Sequence, residues 1–284
     1  MELPVKSSPM HPLADTSALV LLWCGHEIYR TGAVKQYCRK LDLKNGIELL
    51  RRCNAIWPEY GNVIRYRKTC IAETAASLLM SGTIRQVVIP AAGFSMLGIE
   101  LAAMFSGLQV FELDRDGMPV KQEITRDLRY AADSSLHCIA ADICDCGQVE
   151  RLLMDAGWKR NEPTLLVIEG ISYYLHKRTS RTLWEMVDTG SPVIFEYLVP
   201  LSSVDAGRRH IPEAVFTEIM TYCSSPTRVT CWSEDELKLE RSVSVDRCYS
   251  LSEIENNTRN IDEPLFPERK DGWIEVAMMY RNSR

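Results

Sequence analysis

The sequence lacks the features that mark membrane and secreted proteins. A secretory signal has a basic segment followed by an apolar core and a small-residue cleavage site. Residues 1–17 do not have this pattern, so we expect no such signal there. The longest early apolar run, residues 18–24, is too short to span a bilayer. We therefore expect a cytoplasmic protein with reduced thiols and no membrane partner.

Metal-site spacing and a strong charge of one sign are also missing. Of the ten cysteines, Cys144 and Cys146 form a CxC, but no second pair or Cys/His cluster accompanies them, so no metal is expected. The net charge is only −5, which gives no electrostatic reason to expect nucleic acid. A hydrophobic content of 46% is ordinary for a globular protein, and a small molecule or a protein is the expected partner.

The pattern of apolar residues predicts an α/β protein. Residues 1–80 read as helices over 17–29, 33–41, 44–53 and 65–80, the last after a turn at 58–61. Five short apolar runs then alternate with helical patterns, which indicates a parallel sheet covered on both faces. The predicted strands are residues 86–89, 110–113, 136–140, 164–168 and 192–198. After a basic loop and a helix over 212–222, strand-like runs follow at 228–232, 243–249 and 273–280.

The carboxyl ends of the first four strands hold the informative residues. Gly93 follows the first strand, where a missing side chain lets a ligand approach a helix N-terminus. Asp114, Asp142 and Glu169 end the next three strands. Gly93 with Asp114 suits a dinucleotide or an adenosyl ligand equally. The later acids and the absence of a GxGxxG turn favour S-adenosylmethionine, whose sulfonium and ammonium attract carboxylates, over a dinucleotide bound by an oxidoreductase.

Four segments together resemble the leucine carboxyl methyltransferase family. They are VVIPAAGFSMLGIELA, VFELDRD, CIAADICDCGQVERLL and PTLLVIEGISYYLHKRTSRTLWEMV, and the resemblance covers roughly residues 60–200. It implies a Rossmann-like class I methyltransferase fold, with a mostly parallel seven-stranded sheet and helices on both faces. With the change of residue pattern after the helical region, it predicts a helical N-terminal cap over 1–80 and an S-adenosylmethionine-binding methyltransferase domain over 81–284, in which the family places a substrate lid at about 199–224.

The same resemblance implies roles for individual residues. Gly93 and Ala91 correspond to the family's Gly-Ala-Gly turn at the methionine moiety, and Asp114 to the acid that holds the ribose. Asp142 and Ile143 correspond to the segment at the adenine, and Glu169 to an acid near the methionine end. A basic residue before the first strand would hold the cofactor carboxylate, and the candidates are Arg65, Arg67 and Lys68.

Three positions depart from the family pattern. Ala91 replaces the first glycine, and we expect a slightly wider turn to accommodate its methyl group. Ser95 replaces an aspartate, and Glu100 stands about where many members have an arginine. These departures leave the predicted cofactor unchanged and weaken the inference that the substrate is the C-terminal leucine of a phosphatase subunit.

The predicted reaction is methylation of a carboxylate of a small molecule or a peptide C-terminus, which yields a methyl ester and S-adenosylhomocysteine. An ionised carboxylate needs no general base, so positioning and exclusion of water would suffice and no catalytic residue is assigned. Arg208, Arg209 and His210 are the candidate cationic clamp in the lid. Tyr173, Tyr174 and Tyr197 are candidates for lining the acceptor pocket.

Two alternatives remain open at the level of the sequence. Methylation of a hydroxyl or an amine on the same fold would require a base, for which His176 and Tyr173 are candidates. A catalytically silent methyltransferase fold that acts as a binding protein would bind no cofactor.

Overall fold

A computed structural model describes residues 11–222, 229–258 and 263–283. Its strands are β1 (His11–Pro12), β2 (Leu41–Asp42), β3 (Gln86–Pro90), β4 (Gln109–Asp114), β5 (Ser135–Ala140), β6 (Thr164–Ile168), β7 (Pro192–Leu198), β8 (Val243–Ser250) and β9 (Ile274–Arg281). Its α-helices are α1 (Asp15–Cys24), α2 (Gly32–Cys38), α3 (Ile47–Ile56), α4 (Tyr60–Leu79), α5 (Leu97–Met104), α6 (Met118–Thr125), α7 (Cys146–Asp155), α8 (Lys177–Met186), α9 (His210–Tyr222), α10 (Glu234–Lys238) and α11 (Leu251–Asn257).

A seven-stranded sheet in the order β5-β4-β3-β6-β7-β9-β8 forms the centre of the molecule. The strand pairs from β5 to β7 are parallel, and β9 is antiparallel to both β7 and β8. This arrangement confirms the predicted mostly parallel sheet. The chain order reverses between β3 and β6, and a crevice for ligands is expected beyond the carboxyl ends of strands at such a point.

The apolar composition of the central strands explains their place in the sheet. Every residue of β3, β6 and β7 is buried, as expected for strands covered by helices on both faces. Helix α5 lies close against β4 at Gly98, where a Cβ atom would come within 2.5 Å of Glu112 Oε1. The missing side chain at this position therefore allows the close packing of helix on strand.

The N-terminal helices share the core of the sheet. Helices α1 and α3 pack together, α1 also packs on α4, and α4 packs on β7 and β9. One continuous cluster of buried apolar residues joins these helices to the strands. Within the described ranges, no helix combines the length and the apolar character needed to cross a membrane.

Two predictions of local structure need correction. A turn is present where it was predicted, but it covers only residues 58 and 59, because Tyr60 and Gly61 already belong to α4. The predicted strand at 228–232 begins at Arg228, which lies outside the described residues, and residues 229–232 are not in a strand. Their apolar character reflects burial of Trp232, whose ring lies 5.3 Å from that of Trp184.

Candidate active site

A cavity of about 620 Å³ opens at the carboxyl ends of β3, β4 and β6. The loops that follow these strands form one wall, and α1, α4 and α9 form the others. Gly93, Asp114 and Glu169, the predicted residues of three strand ends, all line this cavity. The structure therefore brings together residues that are far apart in the sequence.

The turn after β3 is bonded directly to the end of β4. The backbone N–H of Gly93 donates to Asp114 Oδ2 at 2.8 Å. Gly93 adopts φ 49°, in the left-handed region that favours glycine. The Asp114 carboxylate keeps lone pairs for further donors, because from the described residues Oδ1 accepts only the long 3.3 Å bond from the Asp116 backbone.

Ala91 accommodates its methyl group through its backbone conformation. It adopts φ 53°, and among the described non-glycine residues only Asp133 shares a positive φ. Glycine would suit this position because it adopts left-handed φ angles freely. The sequence analysis considered only the space for the methyl group and expected a wider turn. An L-residue held there costs about 1–2 kcal/mol.

Replacing Ala91 by glycine is expected to stabilise the protein by up to about 1 kcal/mol, because relief of the left-handed strain exceeds the added entropy of the unfolded chain. Urea unfolding measures the change. Ala92→Gly is the matched control, because Ala92 does not have a positive φ. This variant should lose about 0.4–1 kcal/mol of the free energy of unfolding. Equal effects at both positions would contradict the assignment of strain to Ala91.

Lys121 is a site residue that the sequence analysis missed. Its ammonium group donates to the backbone oxygens of Gly93 at 3.0 Å and Ser95 at 2.7 Å. It also forms an ion pair with Glu112 Oε2 at 2.6 Å, and both side chains are completely buried. The signal in the sequence was an acidic residue inside the apolar strand VFELD, which requires a buried cation nearby.

A buried cluster of four charges lies at the end of β6. Arg67 pairs with Glu196 and Lys68 pairs with Glu169, while Arg67 Nη1 lies 3.9 Å from Glu169 Oε1. The backbone N–H of Gly170 also donates to Glu196 Oε2 at 3.1 Å. Burial alone would raise the pKa of Glu169, but the positive charges of Lys68 and Arg67 outweigh it and hold this pKa below its ordinary value. Glu169 is therefore ionised at neutral pH.

The three basic candidates before β3 differ in burial and in whether they line the cavity. Arg67 and Lys68 are buried and line the cavity. Arg65 is on the exposed face of α4 and donates to Asn62 Oδ1 at 3.0 Å. Helical spacing could have distinguished them, because Arg67 and Lys68 lie three and four residues from the buried Ile64 and Ile71.

Asp142 and Ile143 do not line the cavity. Asp142 is exposed at the end of β5, where its Oδ1 accepts a 2.9 Å bond from the backbone of Cys144. Ile143 is buried in the core. Contact of these two residues with an adenine ring stays a prediction.

The tyrosine candidates fall into two groups. Tyr173 and Tyr174 follow β6 and line the cavity together with Phe216 of α9. Tyr197 is fully buried in β7, outside the cavity lining, and donates to Glu275 Oε2 at 2.6 Å. Its side chain is part of the sheet core.

The basic triplet of the predicted lid does not line the cavity either. Arg208 Nε lies 3.6 Å from Asp271 Oδ1, and Arg209 donates to the backbone oxygen of Val204 at 2.9 Å. His210 is exposed at the start of α9. Helix α9 contributes apolar side chains to the cavity instead, namely Phe216, Ile219 and Met220.

Two further observations bear on the chemistry. Within the described ranges, no group of three or more His, Cys, Asp or Glu side chains could hold a metal ion. His176 is exposed at the N-terminus of α8 and is not among the cavity residues.

The sheet order and the strand-end cavity define a class I S-adenosylmethionine-dependent methyltransferase fold. The sequence model of the leucine carboxyl methyltransferase family matches residues 32–188, more than half of the 284-residue chain. The chain therefore belongs to the leucine carboxyl methyltransferase family, as the resemblance in the sequence indicated, and is a methyltransferase that uses S-adenosylmethionine. A search of curated proteins gave no match.

Solved structures agree with the fold. A DUF574 family protein from Streptomyces avermitilis MA-4680 has a TM-score of 0.64 at 13% identity, with 95% of this chain and 98% of that chain covered. A provisionally assigned methyltransferase from Thermobifida fusca YX has a TM-score of 0.61 at 12% identity, with 98% and 97% covered. At these identities the likeness concerns the fold alone.

Proposed function

We propose that the protein methylates a carboxylate of a small molecule, producing a methyl ester and S-adenosylhomocysteine. The observation behind the proposal is the absence of an available general base among the described residues of the cavity. No histidine lines it. An acceptor methylated there must carry a reactive lone pair at neutral pH without help from a base, and a carboxylate is the commonest ionised group that does so.

Tyr173, the tyrosine that the sequence analysis offered as a base, is unsuited to that role. Burial raises the pKa of Tyr173 well above its ordinary value, and the negative charge of Glu196 raises it further. Of the two acids of the cavity, Glu169 pairs with Lys68, whereas Asp114 accepts from Gly93 and would use its remaining acceptor capacity for the cofactor ribose, so neither is left to act as a base. These properties disfavour methylation of a hydroxyl, which would have to lose a proton to a base.

The chemistry of the cavity residues fits S-adenosylmethionine. The Asp114 carboxylate has acceptor capacity for ribose hydroxyls, and the ionised Glu169 suits an ammonium or sulfonium charge. Arg67 Nε is buried and has no hydrogen-bond partner in the described part of the chain, so it is a donor suited to the methionine carboxylate.

Bound there, S-adenosylmethionine supplies a methyl group activated by the positive charge on sulfur. An ionised acceptor carboxylate would have no proton to lose, so none of the cavity residues would have to act as a base. The role of the protein is then to align the two reactants and to exclude water. The apolar side chains of α9 are suited to the second task.

The test is the base lability of the product. The protein is incubated with methyl-labelled S-adenosylmethionine and a panel of carboxylic acids, phenols and amines. The methylated product should release its label as methanol on mild alkaline treatment. A base-stable product would contradict carboxyl methylation and would favour an ether or an amine. Calorimetry with S-adenosylhomocysteine tests the silent alternative, because a protein without cofactor function would show no binding.

A further inference from the structure

Three aromatic rings in contact with one another line the cavity, and two of them, Tyr173 and Phe216, keep only 6% and 7% of their surface exposed. The ring of Tyr173 lies 5.2 Å from that of Phe216 at an interplanar angle of 81°, and 4.9 Å from that of Tyr174 at 69°. The rings of Tyr174 and Phe216 are 6.2 Å apart. We call Tyr173, Tyr174 and Phe216 the aromatic cluster. It joins the turn after β6 to α9, so its rings are held by two separate elements.

Apolar side chains continue this surface. Val20 of α1 and Ile219 and Met220 of α9 line the cavity and are only partly buried. Tyr174 is also partly buried. An apolar ligand would remove this surface from water, which favours binding roughly in proportion to the area covered. Met220 adds a flexible thioether that packs well against aromatic rings.

The cations of the cavity are already matched by acids. Among its described lining residues, the cations are Arg67, Lys68 and Arg115. Arg67 and Lys68 have buried carboxylate partners, and the exposed Arg115 lies 3.3 Å from Asp116 Oδ2. A ligand with several negative charges would therefore find little compensation here.

A peptide is disfavoured on separate grounds. Each amide of a peptide acceptor would lose its hydrogen bonds to water on entering the cavity, and the apolar side chains that α9 places there, Phe216, Ile219 and Met220, offer no replacement. The basic triplet Arg208, Arg209 and His210, which could have clamped a peptide terminus, does not line the cavity.

We propose that the acceptor is a monocarboxylic acid with a planar aromatic body, which packs against the aromatic cluster. Aromatic rings favour edge-to-face or offset contacts with one another over contact with saturated rings of similar area. This inference rests on the proposed carboxyl methylation and adds the chemical class of the substrate.

The test compares acids of matched size with the full-length protein and saturating labelled S-adenosylmethionine. The acids are 2-naphthoic acid, its saturated counterpart decalin-2-carboxylic acid, and N-acetyl-trialanine with a free carboxylate. We expect kcat/KM for 2-naphthoic acid to exceed the values for the other two by about twofold to tenfold, the range that corresponds to one aromatic contact. A preference for the peptide or the saturated acid would overturn the inference.

Variants of α9 locate the preference. Phe216→Leu keeps an apolar side chain but removes the ring, and it should reduce the ratio of naphthoic to decalin acid severalfold. Val215→Ala is the matched control, because Val215 is fully buried on the same helix and does not line the cavity. Its ratio should equal that of the unmodified protein. An unchanged ratio in Phe216→Leu would assign the preference elsewhere and overturn the role of the cluster.

Binding measurements separate failure of this inference from failure of the proposed function. If neither acid is turned over, calorimetric titration of both into the protein with S-adenosylhomocysteine still compares them, and equal affinities overturn the inference. A base-stable product from an aromatic acceptor would reject carboxyl methylation while supporting the aromatic class. A base-labile product formed best from the peptide would support carboxyl methylation and reject the aromatic class of acceptor.

Discussion

Replacing Lys121 by methionine should lower the free energy of unfolding by about 3–5 kcal/mol, the usual cost of leaving one member of a buried ion pair alone. Glu112 would lose its partner at 2.6 Å, and the backbone oxygens of Gly93 and Ser95 would lose a donor. Urea unfolding measures the loss. Lys159→Met is the control, because its pair with Glu162 is exposed and should contribute no more than about 1 kcal/mol.

The deficit of Lys121→Met should shrink as the pH is lowered. Burial already raises the pKa of Glu112 above its ordinary value despite the attraction of Lys121, and removal of Lys121 would raise it further. A carboxyl whose pKa is higher in the folded than in the unfolded state favours folding below its unfolded pKa, and this benefit is lost as pH rises through the folded pKa. A deficit that grows toward pH 4 would contradict an unpaired Glu112 as its cause.

Replacing Asp114 by alanine should weaken S-adenosylhomocysteine binding at least about a hundredfold, while the protein stays folded. Hydrogen bonds to a charged group contribute about 1.5–3 kcal/mol each, and the variant loses the acceptor proposed for the ribose as well as the bond from Gly93. Calorimetry measures the affinity, and circular dichroism checks the fold.

Two companion variants sharpen this experiment. Asp116→Ala changes an exposed acid two residues away and should leave the affinity unchanged. Asp114→Asn keeps an oxygen that can accept from Gly93 and should lose less affinity than Asp114→Ala. If Asp114→Ala binds S-adenosylhomocysteine as well as the unmodified protein, the ribose does not bind at this carboxylate.

The positions of Gly93, Asp114 and Glu169 could be predicted because each lies at, or within three residues of, the carboxyl end of an apolar strand. In a parallel sheet the carboxyl ends of the strands meet at one edge, so position in the chain becomes position in space. The same reasoning extends less well to Asp142. Its strand, β5, is at the far edge of the sheet, and its side chain bonds to its own loop instead of lining the cavity.

The surroundings of Tyr197 could not be read from the sequence. Strand β7 is buried on both faces, so its apolar run lacks the alternation that would assign a side chain to one face. The basic triplet was ambiguous for a related reason, since charge in a loop does not say what it faces. Arg208 forms an ion pair with Asp271, and Arg209 donates a hydrogen bond to the backbone oxygen of Val204, so neither side chain faces the cavity.

Glu100 bears on the construction of chimaeras within the family. It accepts bonds from the backbone N–H groups of Arg30 and Thr31 and from the Thr31 hydroxyl, and so ties the start of α2 to α5. The family resemblance suggested an arginine at about this position, whereas this chain has the acceptor that its own residues 30 and 31 use. An N-terminal segment exchanged between relatives would therefore have to be transferred together with position 100 to keep these three hydrogen bonds.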